Sequence, residues 1–152
     1  MKKKIKGLWL FGLSGSGKSF ISNKIHKLVK NSIVLDGDEV RKKISFDLGY
    51  TITDRITSTQ RLLGISEILI SNKLFPIVSS SYLGKNVFNL AQKKNFLIIK
   101  VIRKKALLRK KVFKLKTNVV GKDIKLPNLN CMEIQNDTKI KKKIEKIISS
   151  II

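Results

Sequence analysis

Short apolar runs alternate along this chain with longer stretches in which apolar residues recur every three or four positions. Runs of the first kind predict strands near 7–12, 32–36, 75–80, 96–102 and 131–135. Stretches of the second kind predict helices over 18–30, 38–45, 57–72, 85–94, 104–115 and 138–150. Strands that alternate with helices are typical of parallel sheets, so the pattern predicts an α/β fold: a five-stranded, mainly parallel sheet flanked by helices on both faces.

The last predicted helix carries isoleucines on one side and lysines on the other. The apolar stripe consists of Ile140, Ile144, Ile147 and Ile151. A stripe of this kind predicts packing against the sheet rather than a membrane anchor. No apolar stretch approaches the length of a membrane span, and a Gly/Ser segment cuts short the apolar run that follows the basic N-terminus. We therefore expect a cytoplasmic protein without a membrane partner.

The length of the chain, 152 residues, is that of one domain. No repeat, Pro-rich linker or low-complexity segment divides the sequence, so we expect a single domain over 1–152. The longest loop candidate is 116–130. Loops of that length in a compact domain often close over a binding site, which predicts a short lid within about 110–128.

The charge balance is strongly basic, with 33 Lys and Arg against 10 Asp and Glu and a formal net charge of +23. Such a field attracts anions, nucleotides and nucleic acids among them. The lysines are scattered along the whole chain, however, and no cluster mixes aromatic with basic residues. This distribution argues against a specific nucleic-acid partner. It leaves open weak, sequence-independent binding that added salt abolishes.

A complete phosphate-binding loop occupies residues 12–19, with the sequence Gly-Leu-Ser-Gly-Ser-Gly-Lys-Ser. Such a loop aims several backbone N–H groups at phosphate oxygens, and glycine tolerates best the backbone angles that this requires. Lys18 is then placed to reach the β- and γ-phosphates, and the Ser19 hydroxyl to bind Mg²⁺. The loop follows a predicted strand and precedes a predicted helix, which is the context of a true nucleotide site. The chain is therefore predicted to be a nucleoside-triphosphate enzyme.

A second group of charged residues follows the strand predicted at 32–36. Asp36, Asp38 and Arg41 come at its end, at the carboxyl edge of the sheet where open α/β folds bind ligands. Arg55 and Arg61 follow on a helix. An anionic second substrate needs such arginines, and a nearby carboxylate can accept the proton of an attacking hydroxyl. Taken singly, these residues are weak evidence, because Asp-Gly-Asp is most often a turn and scattered arginines are usually surface residues.

In order and spacing these pieces closely resemble the adenylylsulfate (APS) kinase family. The resemblance is carried by the phosphate-binding loop, Leu35-Asp36-Gly37-Asp38-x-x-Arg41, Leu48-Gly49-Tyr50, Asp54-Arg55 with Arg61, and the segment 118–124. It extends from the first predicted strand to the last. It implies a P-loop kinase fold that transfers the γ-phosphoryl group of ATP, with Mg²⁺, to the 3′-hydroxyl of adenylyl sulfate to give PAPS. The oligomeric state stays open, with a homodimer as one assembly.

The resemblance also implies roles for individual residues. Lys18 and Asp38 would be catalytic, and Ser19 and Asp38 would bind the metal. Asp36 would order its loop. The ATP site would comprise Gly12, Ser14, Gly15, Ser16, Gly17, Lys18, Ser19 and Phe20. The acceptor nucleotide would be bound by Asp38, Arg41, Tyr50, Arg55, Arg61, Val119 and Gly121.

The chain departs from the family pattern at several positions. Ser58 and Gln60 stand where the family commonly has an asparagine and the first of two arginines. Tyr82 falls at about the position of a serine that carries phosphate in some members, so no phosphoserine intermediate is predicted. The stretch 109–121 is shorter than usual and lacks the expected lid motifs. These departures keep two alternatives open: a kinase of another nucleotide, such as a cytidine diphosphate derivative, and a nucleotide-binding homologue without turnover.

Three further residues are interpreted as structural. His26 lies on a lysine-rich helix face and is expected to be solvated rather than catalytic. Trp9 is expected in the core of the first strand. Cys131, the one cysteine of the sequence, is expected to be an inert buried thiol at the start of the last strand.

Overall fold

The computed structural model of the protein describes residues 3–104 and 117–152. Within these ranges the strands are β1 (Gly7–Phe11), β2 (Ser32–Asp36), β3 (Phe75–Ser80), β4 (Phe96–Ile102) and β5 (Met132–Gln135). The helices are α1 (Lys18–His26), α2 (Gly37–Lys43), α3 (Ile52–Ser71), α4 (Lys85–Lys93) and α5 (Ile140–Ile151). The predicted strands and helices are confirmed to within a few residues, except α3, which begins earlier. The helix predicted over 104–115 lies almost wholly outside the described residues.

The five strands form one sheet in the order β2-β3-β1-β4-β5, and every pairing among the described residues is parallel. β1 lies in the middle, in register with Ile77–Ser80 on one side and 96–100 on the other. Helices connect β1 to β2, β2 to β3 and β3 to β4, as parallel strands require. The carboxyl ends of β1 and β2 therefore open at the same edge of the sheet, where the phosphate-binding loop and Asp36 lie.

Alternate side chains of β1 enter separate cores on the two faces of the sheet. Trp9 and Phe11 pack with residues of α2, α3 and α4. Leu8 and Leu10 pack on the opposite face with α1 and α5. All four side chains are fully buried. This arrangement confirms helices on both faces and the core position of Trp9, because a central parallel strand is apolar on both sides.

The isoleucine stripe of α5 packs as predicted. Ile144 and Ile147 are buried against the α1 face of the sheet, and Ile140 and Ile151 pack at its margin. No helix among the described residues is long and apolar enough to cross a membrane. Cys131 is only partly buried and lies one residue before β5; burial raises the pKa of its thiol.

Two helix boundaries differ from the sequence prediction. α3 begins at Ile52 rather than at 57 because Thr51 and Asp54 form a capping box: each side chain binds the backbone N–H of the other residue. α1 ends at His26, although Val29 continues the buried face. His26 is exposed, and its Nδ1 lies 2.9 Å from the Ser32 hydroxyl oxygen, consistent with a structural role.

Candidate functional site

The phosphate-binding loop connects β1 to α1 at the carboxyl edge of the sheet. Gly12, Gly15 and Gly17 all have positive φ angles, of 150°, 81° and 95°. An L-residue with a Cβ atom is strained at such angles, which explains the three glycines. Gly17 caps α1 directly, so the free N–H groups of the helix N-terminus point into the loop. The backbone is thus arranged to bind an anion such as a phosphate.

Lys18 is turned back over the loop rather than out to solvent. Its Nζ donates hydrogen bonds to the carbonyl oxygens of Gly12, at 2.9 Å, and Leu13, at 3.0 Å. Burial lowers the pKa of this amine from 10.5 to about 8, against the opposing effects of Asp38 and Asp36. A phosphate group bound in the loop would place negative charge beside this desolvated amine and so stabilise its protonated form.

Ser19, on α1, and Asp36, the cap of α2, face each other across the gap between the two helices. The Ser19 hydroxyl donates to Asp36 Oδ2 at 2.9 Å. Asp36 Oδ1 in turn accepts from the backbone N–H of Asp38, at 3.0 Å, and of Glu39, at 3.3 Å, so it caps α2. The expected ordering role of Asp36 matches these contacts, and the hydroxyl contact places it beside the predicted metal ligand Ser19 as well.

A hydroxyl and carboxylate oxygens are the donors that Mg²⁺ prefers, so these residues fit the ion. No group of three or more His, Cys, Asp or Glu residues that could hold a metal occurs within 3–104 and 117–152. That is compatible with Mg²⁺, which commonly binds through one or two carboxylates together with substrate phosphates and water.

A second cluster surrounds Tyr50. The guanidinium carbon of Arg41 lies 4.7 Å from the centre of its ring, and that of Arg55 lies 5.6 Å away. Arg55 is buried and makes three hydrogen bonds, to the Tyr50 carbonyl, the Ser81 hydroxyl and the Asn118 carbonyl. Burial, and then the charge of Arg41, lower the pKa of Arg55 from its usual range. Two adjacent cations beside an exposed aromatic ring suit an anionic ligand with a flat group.

Asp38 lies on the first turn of α2, near both clusters. Its charge raises the pKa of Lys18, in the phosphate-binding loop, and of Arg55, beside Tyr50. A carboxylate in that position can act on a group that passes from one cluster to the other. The structure thus brings together Lys18, Ser19, Asp38, Arg41, Tyr50 and Arg55.

Arg61 is not part of this group. Its two terminal nitrogens donate to Asp47, at 2.6 Å to Oδ1 and 2.7 Å to Oδ2. The expected acceptor contact of Arg61 is therefore replaced, in this conformation, by a contact with the loop between α2 and α3.

The segment around Val119 and Gly121 lies over the phosphate-binding loop. Val119 is buried, and its N–H donates to Asp123. Gly121 has a φ angle of 87°, and a Cβ atom there would lie 2.6 Å from the Leu13 side chain. Leu13 packs against the buried cluster of Tyr82, Val120 and Ile124. The described part of the predicted lid thus contacts the loop that it is expected to cover, whereas 110–116 lies outside the described residues.

The remaining predicted loop residues differ in exposure. Ser16 is buried, Ser14 is half-buried, and Phe20 is 50% exposed with the Lys24 amine 5.6 Å from its ring. Lys104 is exposed, and Lys105, Lys110 and Lys111 lie outside the described residues.

Sequence reasoning missed two residues that hold the loop from a distance. Asn136, after β5, donates its side-chain amide to the Ser16 carbonyl at 2.8 Å, and it occupies the space where a Cβ at Gly17 would lie. Arg103, after β4, donates to the Gly15 carbonyl at 3.2 Å. No local signal could have identified them, because each contact joins residues far apart in the sequence.

The chain is similar to known proteins in both sequence and structure. A sequence model described as adenylylsulphate kinase matches residues 4–96. The chain is 36% identical over 76 residues to the adenylyl-sulfate kinase of Buchnera aphidicola, a match that covers 47% of this chain and 36% of the relative. It is 37% identical over 78 residues to the bifunctional enzyme CysN/CysC of Xylella fastidiosa, which covers 49% of this chain and 12% of that protein.

The overall structure is similar to a solved complex of the Mycobacterium tuberculosis APS kinase CysC with AMPPNP and APS. The TM-score is 0.82 at 22% identity, and the match covers 97% of this chain and 98% of that chain. At this level of identity the similarity shows a common fold.

Proposed function

The chain belongs to the adenylylsulphate kinase family, and from this premise we propose that it transfers the γ-phosphoryl group of ATP to the 3′-hydroxyl of adenylyl sulfate. An ATP-dependent kinase that acts on a hydroxyl group is what the family and the fold establish. The acceptor is the proposed part, because the chain spans only about a third of the curated kinases it matches and about an eighth of the bifunctional enzymes. The observation that carries the proposal is that α2 joins the two clusters. Its cap Asp36 binds Ser19 of the phosphate-binding loop, Asp38 lies on its first turn, and its Arg41 lies with Arg55 against Tyr50.

On the donor side, the backbone of 12–19 would bind the triphosphate of ATP and Lys18 would bind its outer phosphates. Ser19, Asp36 and Asp38 would hold Mg²⁺, which supplies positive charge to the phosphate oxygens when it is bound. The desolvated amine of Lys18 supports this assignment, since phosphate charge would restore its full protonation.

On the acceptor side, Arg41 and Arg55 would bind the phosphate and sulfate of adenylyl sulfate, and Tyr50 would lie against its base. Val119 and Gly121 would cover the bound nucleotide. The 3′-oxygen attacks the γ-phosphorus, the bond from that phosphorus to the β–γ bridging oxygen breaks, and ADP leaves. Asp38 accepts the proton of the hydroxyl. Little covalent chemistry falls to the protein, whose contribution is positioning and charge.

A second acceptor is favoured by one specific observation. Ser58, which replaces the family's asparagine, is buried on α3 one turn after Arg55. A shorter side chain leaves room and removes an amide donor close to the acceptor arginine. Another 3′-hydroxyl nucleotide, such as a cytidine diphosphate derivative, is therefore the alternative substrate.

The test is ADP release from Mg-ATP with adenylyl sulfate, beside a panel of cytidine and other nucleotides, with each product identified by mass. The proposal expects PAPS from the wild type and from Lys24→Ala, a lysine on the exposed side of the same helix. It expects none from Lys18→Ala. Turnover with a cytidine nucleotide instead would establish the alternative, and nucleotide binding without any turnover would make the chain a binding protein.

A further inference from the structure

The loop between α2 and α3, residues 44–51, carries Tyr50 into the candidate acceptor site; it is called the acceptor loop below. Within this loop, all of which the structure describes, Ser45 alone is buried. Phe46 is 80% exposed and Ile44 is 55% exposed. A segment that buries so little apolar surface gains little stability from packing. Its position must depend on polar contacts.

Two of these polar contacts come from the arginines assigned to the acceptor. Arg41 donates to the carbonyl oxygen of Gly49 at 2.5 Å, and Arg55 donates from Nε to the carbonyl oxygen of Tyr50 at 3.1 Å. When the same guanidinium groups bind the phosphate and sulfate of an acceptor, these donors are divided between ligand and loop. The capping box still fixes Thr51, the last residue of the loop, to α3, but the middle of the loop then needs another attachment.

The third contact is independent of the acceptor arginines. Arg61 of α3 binds Asp47, in the middle of the loop, through two parallel hydrogen bonds of 2.6 and 2.7 Å. This is the paired geometry in which guanidinium and carboxylate bind most strongly. The hydrogen bonds from Arg61 hold the pKa of Asp47 below its usual range. Both terminal nitrogens of Arg61 are therefore engaged before any acceptor arrives.

We infer that Arg61 is a positioning residue, which holds the acceptor loop through Asp47 and so keeps Tyr50 in place for the acceptor, without touching the acceptor itself. This inference rests on the proposed function for its kinetic consequences. It replaces the direct contact that the family resemblance implies for Arg61. The two roles predict opposite effects for one substitution.

That substitution is Asp47→Asn. If Asp47 positions the loop, its loss raises the KM for the acceptor about three- to fivefold, as expected for an exposed ion pair, with the KM for ATP unchanged. Arg61→Gln then has the same effect, and the double variant is no worse than either single one. If Arg61 instead binds the acceptor, Asp47→Asn frees it, the KM for the acceptor falls or stays constant, and the inference is overturned.

Exchange of the two charges provides a further test. Asp47→Arg combined with Arg61→Asp restores the pair in the reverse order, so the positioning role predicts recovery of most of the acceptor KM. A direct contact predicts no recovery, because an aspartate at position 61 repels an anionic acceptor. Both side chains are substantially exposed, at 36% for Arg61 and 52% for Asp47, so the variants are expected to fold.

Hydrogen exchange separates this inference from the proposed function. Amides of 44–51 in the free protein exchange faster in Asp47→Asn and Arg61→Gln, and the charge exchange restores their protection. This readout needs no substrate, so it holds even if adenylyl sulfate proves not to be the acceptor. Unchanged exchange in both single variants would overturn the inference while leaving the proposed function untouched.

Discussion

The buried amine of Lys18 is expected to make nucleotide binding depend on pH. Burial lowers the pKa of its amine to about 8 in the free protein. The phosphates of ATP favour the charged amine and raise that pKa in the complex. As the pH rises through 8, the free protein therefore loses a proton that the complex retains. We expect affinity for ATP to be constant below about pH 7 and to fall about tenfold by pH 9.

Calorimetry in buffers of different ionisation enthalpy checks this prediction. ATP binding at pH 9 should take up close to one proton per nucleotide, and the uptake should disappear at pH 7. Lys18→Met should abolish the uptake, whereas Lys24→Met should retain it. Equal uptake by the Lys18 variant would place the titrating group elsewhere.

Asp38 and Glu39 are adjacent carboxylates on the first turn of α2, yet we expect one of them alone to serve the reaction. Asp38→Asn removes the group that we propose accepts the hydroxyl proton, so kcat should fall about 10²- to 10⁴-fold. Glu39 pairs with Lys43 on an exposed face, so Glu39→Gln should leave kcat unchanged. Steady-state kinetics with the acceptor in excess gives both values.

The midpoint of thermal unfolding should remain within about 2 °C for both variants, since neither side chain is the cap of α2. A large loss of stability in Asp38→Asn would attribute its lower kcat to folding rather than to proton transfer.

Residue contacts were predictable from sequence where they are local. The phosphate-binding loop is one continuous motif, and Lys18 and Ser19 lie within it. The attachments of Asn136 to Ser16 and of Arg55 to Asn118 join residues that are 120 and 63 positions apart. Such contacts depend on the order of the strands in the sheet, and no local sequence pattern predicts that order.

At the scale of elements, the boundary of α3 shows what a local signal can add. Thr51 and Asp54 have the spacing of a capping box, a start signal that lies outside the apolar periodicity. Periodicity alone predicts a start at 57, inside the helix. The early start matters for the site, because it brings Arg55 onto the first turn and into contact with the Tyr50 carbonyl.

The segment 117–124 is joined to the phosphate-binding loop through Gly121 and Leu13. Gly121→Ala should displace this contact, because the residue has a φ angle of 87° and a new Cβ would lie 2.6 Å from Leu13. We expect a loss of about 1–2 kcal/mol in the free energy of unfolding, together with weaker ATP binding. Urea denaturation and an ATP titration measure the two effects.

Gly64 provides the matched control. It lies inside α3, and a Cβ added there would meet no atom within 4 Å beyond the backbone of its own helix, so Gly64→Ala should stabilise the protein by about 1 kcal/mol. If Gly121→Ala binds ATP as tightly as the wild type, the segment has no part in covering the nucleotide.

For the whole molecule, the fold was predictable from the sequence, whereas the effect of the net charge on binding has to be measured. Two-sided burial of β1 follows from its unbroken apolar run, and the alternation of strands and helices specifies a parallel sheet. The fold does not require the net charge of +23. We therefore expect this charge to affect which molecules the protein binds rather than how it folds.

We expect that field to attract any polyanion without selecting one. Binding to an arbitrary duplex DNA should be measurable at 50 mM salt and should weaken about 10³-fold or more at 200 mM if six or more phosphates are neutralised. ATP is a smaller anion, and we propose that an oriented loop and Lys18 hold it, so its affinity should fall far less over the same range. Titrations of both ligands at the two ionic strengths make the comparison, and duplexes of different sequence serve as the control. DNA binding that resists salt or prefers one sequence would contradict the interpretation of the charge as a diffuse surface property, since a scattered set of lysines presents no arrangement of donors that could distinguish base edges.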